Sequence, residues 1–318
     1  MATTVYFATN RLLQGAPDQL SSYGESAVAP SDSTQVTYGT AFVEDAGLTA
    51  DTVGAITSIQ DTGKGGFSQS AIDDLSDPGR NLLIFIHGFD NSFENAITRA
   101  AFNQQWLAAS GVAAAGTTVI AFSWPSLGRL LAFPFLTEPY WSDQTNAGQS
   151  GLHISAFFSN LQPLIARART KGKRAFLLAH SMGNWALQAA VESWFAHGNG
   201  DAALFDGAFL AAADEIYRTF EYPSNGRLSA LGRLTTRTSI YFSANDQVLQ
   251  FSNVINGMKR LGQDGPHDRL DLNRFPAATY RMVDCSSFQD YSFDPASSHQ
   301  YYRRSPTVQA NIAQAMAV

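Results

Sequence analysis

Short apolar runs alternate along the chain with longer stretches whose apolar residues recur at helical spacing. Such alternation predicts a largely parallel sheet covered by helices. Residues 4–8, 35–43 and 53–59 read as strands separated by Gly, Ser, Asp and Pro segments. No helical pattern lies between them, so antiparallel pairing at one sheet edge is expected. Residues 14–34 (QGAPDQLSSYGESAVAPSDST) are polar and turn-rich and read as a long surface loop. Residues 82–86 (LLIFI) are apolar without alternation, as in a strand buried on both faces. A helix is expected after them, opened by Asn91 with Glu94 three residues on, and Phe93, Ile97 and Ala100 share one face. The strand at 119–122 follows. A helix at 153–169 carries the stripe Ile154, Phe157, Phe158, Leu161 and Ile165. A strand at 175–179, a helix at 184–197 and strands at 208–212, 239–243 and 280–285 come next. The last helix starts at Pro306, with Ser305 as N-cap. The reading is one α/β domain over 1–318, with a mostly parallel central sheet of about eight strands flanked by helices.

Composition narrows the chemistry. The chain has 318 residues, 45% hydrophobic and 15% charged, enough apolar material for a large core. Its net charge of −6 disfavours nucleic acid as a partner, since phosphate binding needs clustered Lys and Arg. A single cysteine, Cys285, excludes an intramolecular disulfide and any multi-cysteine metal site, and it reads as a small buried hydrophobe. No apolar run is long enough for a transmembrane helix. The first residues lack a basic and an apolar signal region, so a cytoplasmic location is expected.

The most informative residues are 179–184, AHSMGN, at a strand-to-helix junction. This is the context of the G-x-S-x-G nucleophile elbow, a sharp turn that exposes a serine hydroxyl. Positions two before and two after the serine must be small, and here they are Ala179 and Gly183. Ser181 is the candidate nucleophile. A serine hydroxyl needs a base, and the base needs an acid to fix its tautomer. In an elbow-bearing sheet the chain order is Ser, then Asp or Glu, then His. Only His267 and His299 lie far enough beyond Ser181. His299 follows the last strand and is preferred, while His267 reads as a solvated loop residue. Asp246 directly follows the strand at 239–243 and is the preferred acid; Asp214, after the preceding strand, is the alternative. Backbone amides of Phe89 and Met182 are the expected oxyanion donors. His87 reads as structural.

With these motifs in place, the chain resembles an α/β-hydrolase. More narrowly, it is similar to the bacterial family catalogued as α/β-hydrolases of unknown function. The resemblance rests on YFATNR (6–11), IHGF (86–89) with Ser92, Phe93 and Glu94, FSWPS (122–126), AHSMGN, Asp246 in SAND (243–246) and SHQYY (298–302), in order over nearly the whole chain. It implies a Ser181, Asp246, His299 triad and says little about substrate.

The segment 127–151 departs from that pattern. It is longer and more apolar and follows strand 4 of the expected sheet, so it could form a small cap over Ser181. Leu131, Phe133, Phe135, Tyr140 and Trp141 would line an acyl or aromatic pocket; ordinary core packing is the competing reading. Residues 215–237 are a second candidate cap element. The expected chemistry is hydrolysis of a small-molecule carboxylic ester through an acyl-enzyme, with no metal or organic cofactor. Thioesterase, amidase and acyltransferase activity on the same triad, or a catalytically silent binding protein, are the alternatives. A serine at the elbow opposes the branches that use aspartate there. Oligomeric state is left open.

Overall fold

The structure is a computed structural model describing residues 2–76, 79–127, 137–200 and 203–318. Its strands are β1 (Ala2–Thr9), β2 (Arg11–Leu13), β3 (Tyr23–Ala27), β4 (Thr37–Glu44), β5 (Ile56–Lys64), β6 (Asn81–Ile86), β7 (Thr117–Ser123), β8 (Ala175–His180), β9 (Gly207–Ala211), β10 (Thr238–Phe242) and β11 (Tyr280–Asp284). Its α-helices are α1 (Gln69–Leu75), α2 (Phe93–Ala108), α3 (Thr137–Gln149), α4 (Gly151–Thr170), α5 (Gly183–Ala196), α6 (Leu231–Leu234), α7 (Gln247–Asn256), α8 (Leu261–Asp264), α9 (Pro295–His299) and α10 (Pro306–Ala317).

Nine strands form one sheet in the order β11-β10-β9-β8-β6-β7-β1-β4-β5. The six strands from β6 to β11 are parallel, and β1 joins them parallel to β7. The β1–β4 and β4–β5 pairs are antiparallel, as the missing helical pattern there implies. Side chains alternate along β6. Leu82, Ile84 and Ile86 belong to one core cluster, and Leu83 and Phe85 to the other. The run LLIFI is therefore apolar throughout because both faces are covered. α4 and α5 cover the first face; α2 and α10 cover the second.

Two local readings change. Residues 14–34 are not a continuous loop: β3 pairs with β2 as a small antiparallel ribbon. Its sequence, YGESA, lacks the apolar alternation that marks a half-buried strand. The α2 N-cap is Ser92, whose side chain accepts from the Asn95 amide at 3.1 Å, rather than Asn91. The region 215–237 carries Leu228, Leu231 and Leu234 into the core as fully buried residues. Cys285 is buried just past β11, and burial pushes its thiol upward.

β6 pairs with β7 on one side and β8 on the other, so the strand order reverses at β6. The crevice above the carboxyl ends of β6 and β8 is the switch point where parallel sheets place their sites.

Candidate active site

Ser181 sits one residue beyond β8 with φ of 54°, the left-handed conformation that the elbow turn imposes. The Ser181 amide donates to the Ala211 carbonyl at 3.0 Å, and its own carbonyl accepts from the Asp214 amide at 3.1 Å. The Asn184 side chain donates back to the Ala179 carbonyl at 3.1 Å, which closes the turn. α5 starts two residues later, and the approach is close. A Cβ on Gly183 would lie 2.5 Å from the carbonyl oxygens of both Ile86 and His87.

His299 closes the short helix α9, whose N-cap Asp294 accepts from the Ser297 amide at 3.0 Å. Its Nε2 lies 2.8 Å from Ser181 Oγ, and its Nδ1 lies 2.8 Å from Asp246 Oδ2. The carboxylate can only accept, which places the proton on Nδ1 and leaves Nε2 to receive the serine hydroxyl. Asp246 is completely buried and does two things at once. Its second oxygen accepts from the Leu249 amide at 2.9 Å and caps α7. Burial pushes its carboxyl above the usual range, while His299 and the Leu249 amide pull it back.

Neighbouring groups hold the histidine in place. His180 Nε2 donates to the His299 carbonyl at 3.1 Å, with its ring between those of His299 and Tyr302. Tyr301 OH donates to the Tyr241 carbonyl at 2.8 Å and accepts from the Ala212 amide at 3.1 Å. The SHQYY segment is thus fastened to the ends of β9 and β10.

Phe89 follows β6 and Met182 follows Ser181. Among the described residues, neither backbone N–H has a hydrogen-bond partner. The loop bearing Phe89 is braced from below. Asn91 Nδ2 donates to the carbonyls of Gly88 and Phe89 at 2.9 and 2.7 Å. The buried Asp143 carboxylate accepts from Ser126 Oγ, and from the Leu127 amide at 2.9 Å. Arg11 is fully buried and donates to four carbonyls, those of Gly24, Asn91, Trp124 and Ser126, and to Ser123 Oγ. Burial lowers its guanidinium to about 9. The YFATNR and FSWPS motifs therefore act as scaffolding for the loop. His87 is structural, as expected. It stacks on Trp124 at 4.9 Å, bonds to the Gly88 carbonyl, and is lowered to about 3 chiefly by burial.

Neither alternative triad member pairs with His299: Asp214 lines the cavity over Ser181 but is held by other partners, and His267 lies apart. Asp214 is bound by Arg260 Nε at 2.7 Å, Ser252 Oγ at 2.5 Å and Tyr140 OH at 2.9 Å. Burial opposes the Arg260 charge, but Asp214 and Tyr140 outweigh it and hold it above its usual range. His267 pairs with Glu221 at 2.5 Å and lines a different cavity. With Glu221 and Asp268 it forms the one group of metal-ligand type among the described residues, already paired to Arg218 and Arg274.

A cavity of about 400 Å³ opens over Ser181 and His299. Its walls come from Phe89, Tyr140, Val248, Phe251, Pro295 and Ala296, with Asp90, Arg99, Gln247, Gln300 and the Arg260-paired Asp214 with Ser252 as polar members. Leu131, Phe133 and Phe135 lie outside the described residues. Tyr140 lines the cavity, whereas Trp141 is 44% exposed and does not. Adjacent helical residues point about 100° apart, so an inward Tyr140 turns Trp141 to solvent. The α7 and α9 walls and Arg99 carry no local sequence signal.

The parallel sheet, the elbow at its carboxyl edge and the Ser–Asp–His chain order define the α/β-hydrolase class. A model of the family described as alpha/beta hydrolase of unknown function (DUF900) matches residues 66–316, and the chain belongs to that family. No curated protein matches it. Among the described residues, no helix is long and apolar enough to cross a membrane.

Proposed function

We propose that the protein is a serine hydrolase that cleaves a carboxylic ester through an acyl-enzyme. The observation that carries this reading is His299, bridging Ser181 Oγ and Asp246 Oδ2 at 2.8 Å each. His299 Nε2 takes the hydroxyl proton as Ser181 Oγ attacks the ester carbonyl. The amides of Phe89 and Met182 donate to the oxygen that becomes negative, so they stabilise the tetrahedral state more than the ground state. The imidazolium then protonates the leaving alcohol. Water, deprotonated by His299, attacks the acyl-enzyme and frees Ser181 by the reverse sequence. Asp246 stabilises the imidazolium without leaving its cap on α7. The largely apolar walls of the cavity suit an acyl or aryl group placed beside the serine.

A chain-length series of nitrophenyl esters tests the reading. Turnover that disappears in Ser181→Ala, with the fold retained by circular dichroism, is the expected result. Hydrolysis equal in both proteins would sink it.

A further inference from the structure

The cavity over Ser181 holds a positive charge that the ester chemistry does not use. Arg99, on α2, lines it together with Gln300, across from the apolar side chains of α7 and α9. Among the described residues, Arg99 makes no hydrogen bond and no ion pair. Asp90 lines the same cavity but does not pair with it. Burial, with repulsion from Arg304, lowers the Arg99 guanidinium, while Tyr302 and Asp90 favour its charge. Arg303 and Arg304 stand behind Gln300, and Nη2 of each reaches its side-chain oxygen. With its oxygen held, the Gln300 amide keeps NH₂ donors with no partner among the described residues. Arg304 also pairs with Asp51, and both Arg303 and Arg304 leave Nε without a partner among the described residues.

The guanidiniums of Arg99, Arg303 and Arg304 thus repel one another, and Arg99 is the one in the wall of the cavity over Ser181. A desolvated, unpaired arginine in a pocket wall is a costly arrangement that an incoming anion would relieve. The guanidinium fork matches one carboxylate bidentately. Burial raises Asp90 to about 6, and its negative form would oppose a second charge on the ligand. That favours a monoanion over a phosphate dianion.

We propose that Arg99, assisted by Gln300, receives a carboxylate carried by the substrate, so that the ester cleaved at Ser181 is the half-ester of a dicarboxylic acid. The proposal rests on the serine-hydrolase reading for its chemistry, but its binding step can be measured alone.

The experiment titrates monoethyl glutarate and neutral diethyl glutarate into Ser181→Ala, alone and combined with Arg99→Met or Arg99→Lys, by calorimetry. The half-ester should bind more tightly than the diester, and Arg99→Met should weaken it roughly 10- to 100-fold, as for loss of a charged hydrogen bond. Arg99→Lys should keep part of the affinity, and it controls for a folding defect in the methionine variant. Equal affinity for the two esters, or half-ester affinity unmoved by Arg99→Met, would overturn the proposal. So would tighter binding of an amino ester, which would assign the wall to Asp90. Turnover by the wild type separates the two readings. Arg99-dependent binding without Ser181-dependent hydrolysis removes the hydrolase and keeps the anion site. Ser181-dependent hydrolysis with no preference for the half-ester does the opposite.

Discussion

Replacing Asp246 with Asn separates two jobs that one buried carboxylate performs. One oxygen caps α7 through the Leu249 amide, and the other accepts from His299 Nδ1. Asn caps a helix about as well as Asp, so the capping loss should stay below about 0.5 kcal/mol; Ala at the same place costs about 1 kcal/mol. The effect on the histidine is different in kind. An amide NH₂ facing Nδ1 favours the tautomer protonated on Nε2, which presents a donor to Ser181 Oγ where an acceptor is needed. The imidazolium also loses its counter-charge. Loss of the correct tautomer in a triad costs about 1,000- to 10,000-fold, equivalent to about 4–5.5 kcal/mol of barrier. The assay is the second-order rate of inactivation by a fluorophosphonate, followed beside the thermal midpoint. Asp246→Asn should keep a near wild-type midpoint and lose reactivity. Asp214→Asn should do the reverse, because it weakens the hold on the buried Arg260 guanidinium, and breaking a buried pair costs about 3–5 kcal/mol. Reactivity within tenfold of wild type in Asp246→Asn would refute the reasoning. A larger rate loss in Asp214→Asn would as well.

Three further outcomes follow from the scaffold. Gly183→Ala puts a methyl 2.5 Å from two carbonyl oxygens, and denaturant titration should show a loss of about 3 kcal/mol, with a smaller effect counting against the close approach. Arg11→Met strips donors from four carbonyls and Ser123 Oγ, so unfolding free energy should fall by about 4 kcal/mol, and Arg11→Lys should recover only part of it. His87 is held near 3 when folded against about 6.5 when unfolded, so the unfolded chain binds the proton first and stability falls with pH below about 6.5. Between pH 7 and 5 this residue should remove about 2 kcal/mol, a slope that His87→Gln should lack in chemical denaturation at the two pH values.

What could be read from residues alone has a physical pattern. Ser181 was legible because its turn constrains neighbours that are close in sequence, a buried strand before it and small residues two positions either side. His299 and Asp246 followed from chain order and from their places after strands. The rest of the cavity had no such signature. Tyr140 is legible as an aromatic wall residue, but its bond to Arg260 at 3.0 Å, 120 residues away, is not. Asp143 supports the loop after β6 from α3, and the α7 wall reads only as a short amphipathic helix. Arg99 stands among residues that read as an ordinary helix surface, and only the fold turns it toward Ser181. The β2–β3 ribbon was missed because a strand of Gly, Glu and Ser carries no apolar alternation.

The central claim is that Ser181 is a nucleophile activated by His299. Intact-mass spectrometry after fluorophosphonate treatment tests it most directly, on wild type, Ser181→Ala and His299→Ala. One adduct per wild-type chain, mapped to the peptide carrying Ser181 and absent from both variants, is the predicted result. An adduct that persists in Ser181→Ala, or a wild-type chain that takes none, would contradict the account.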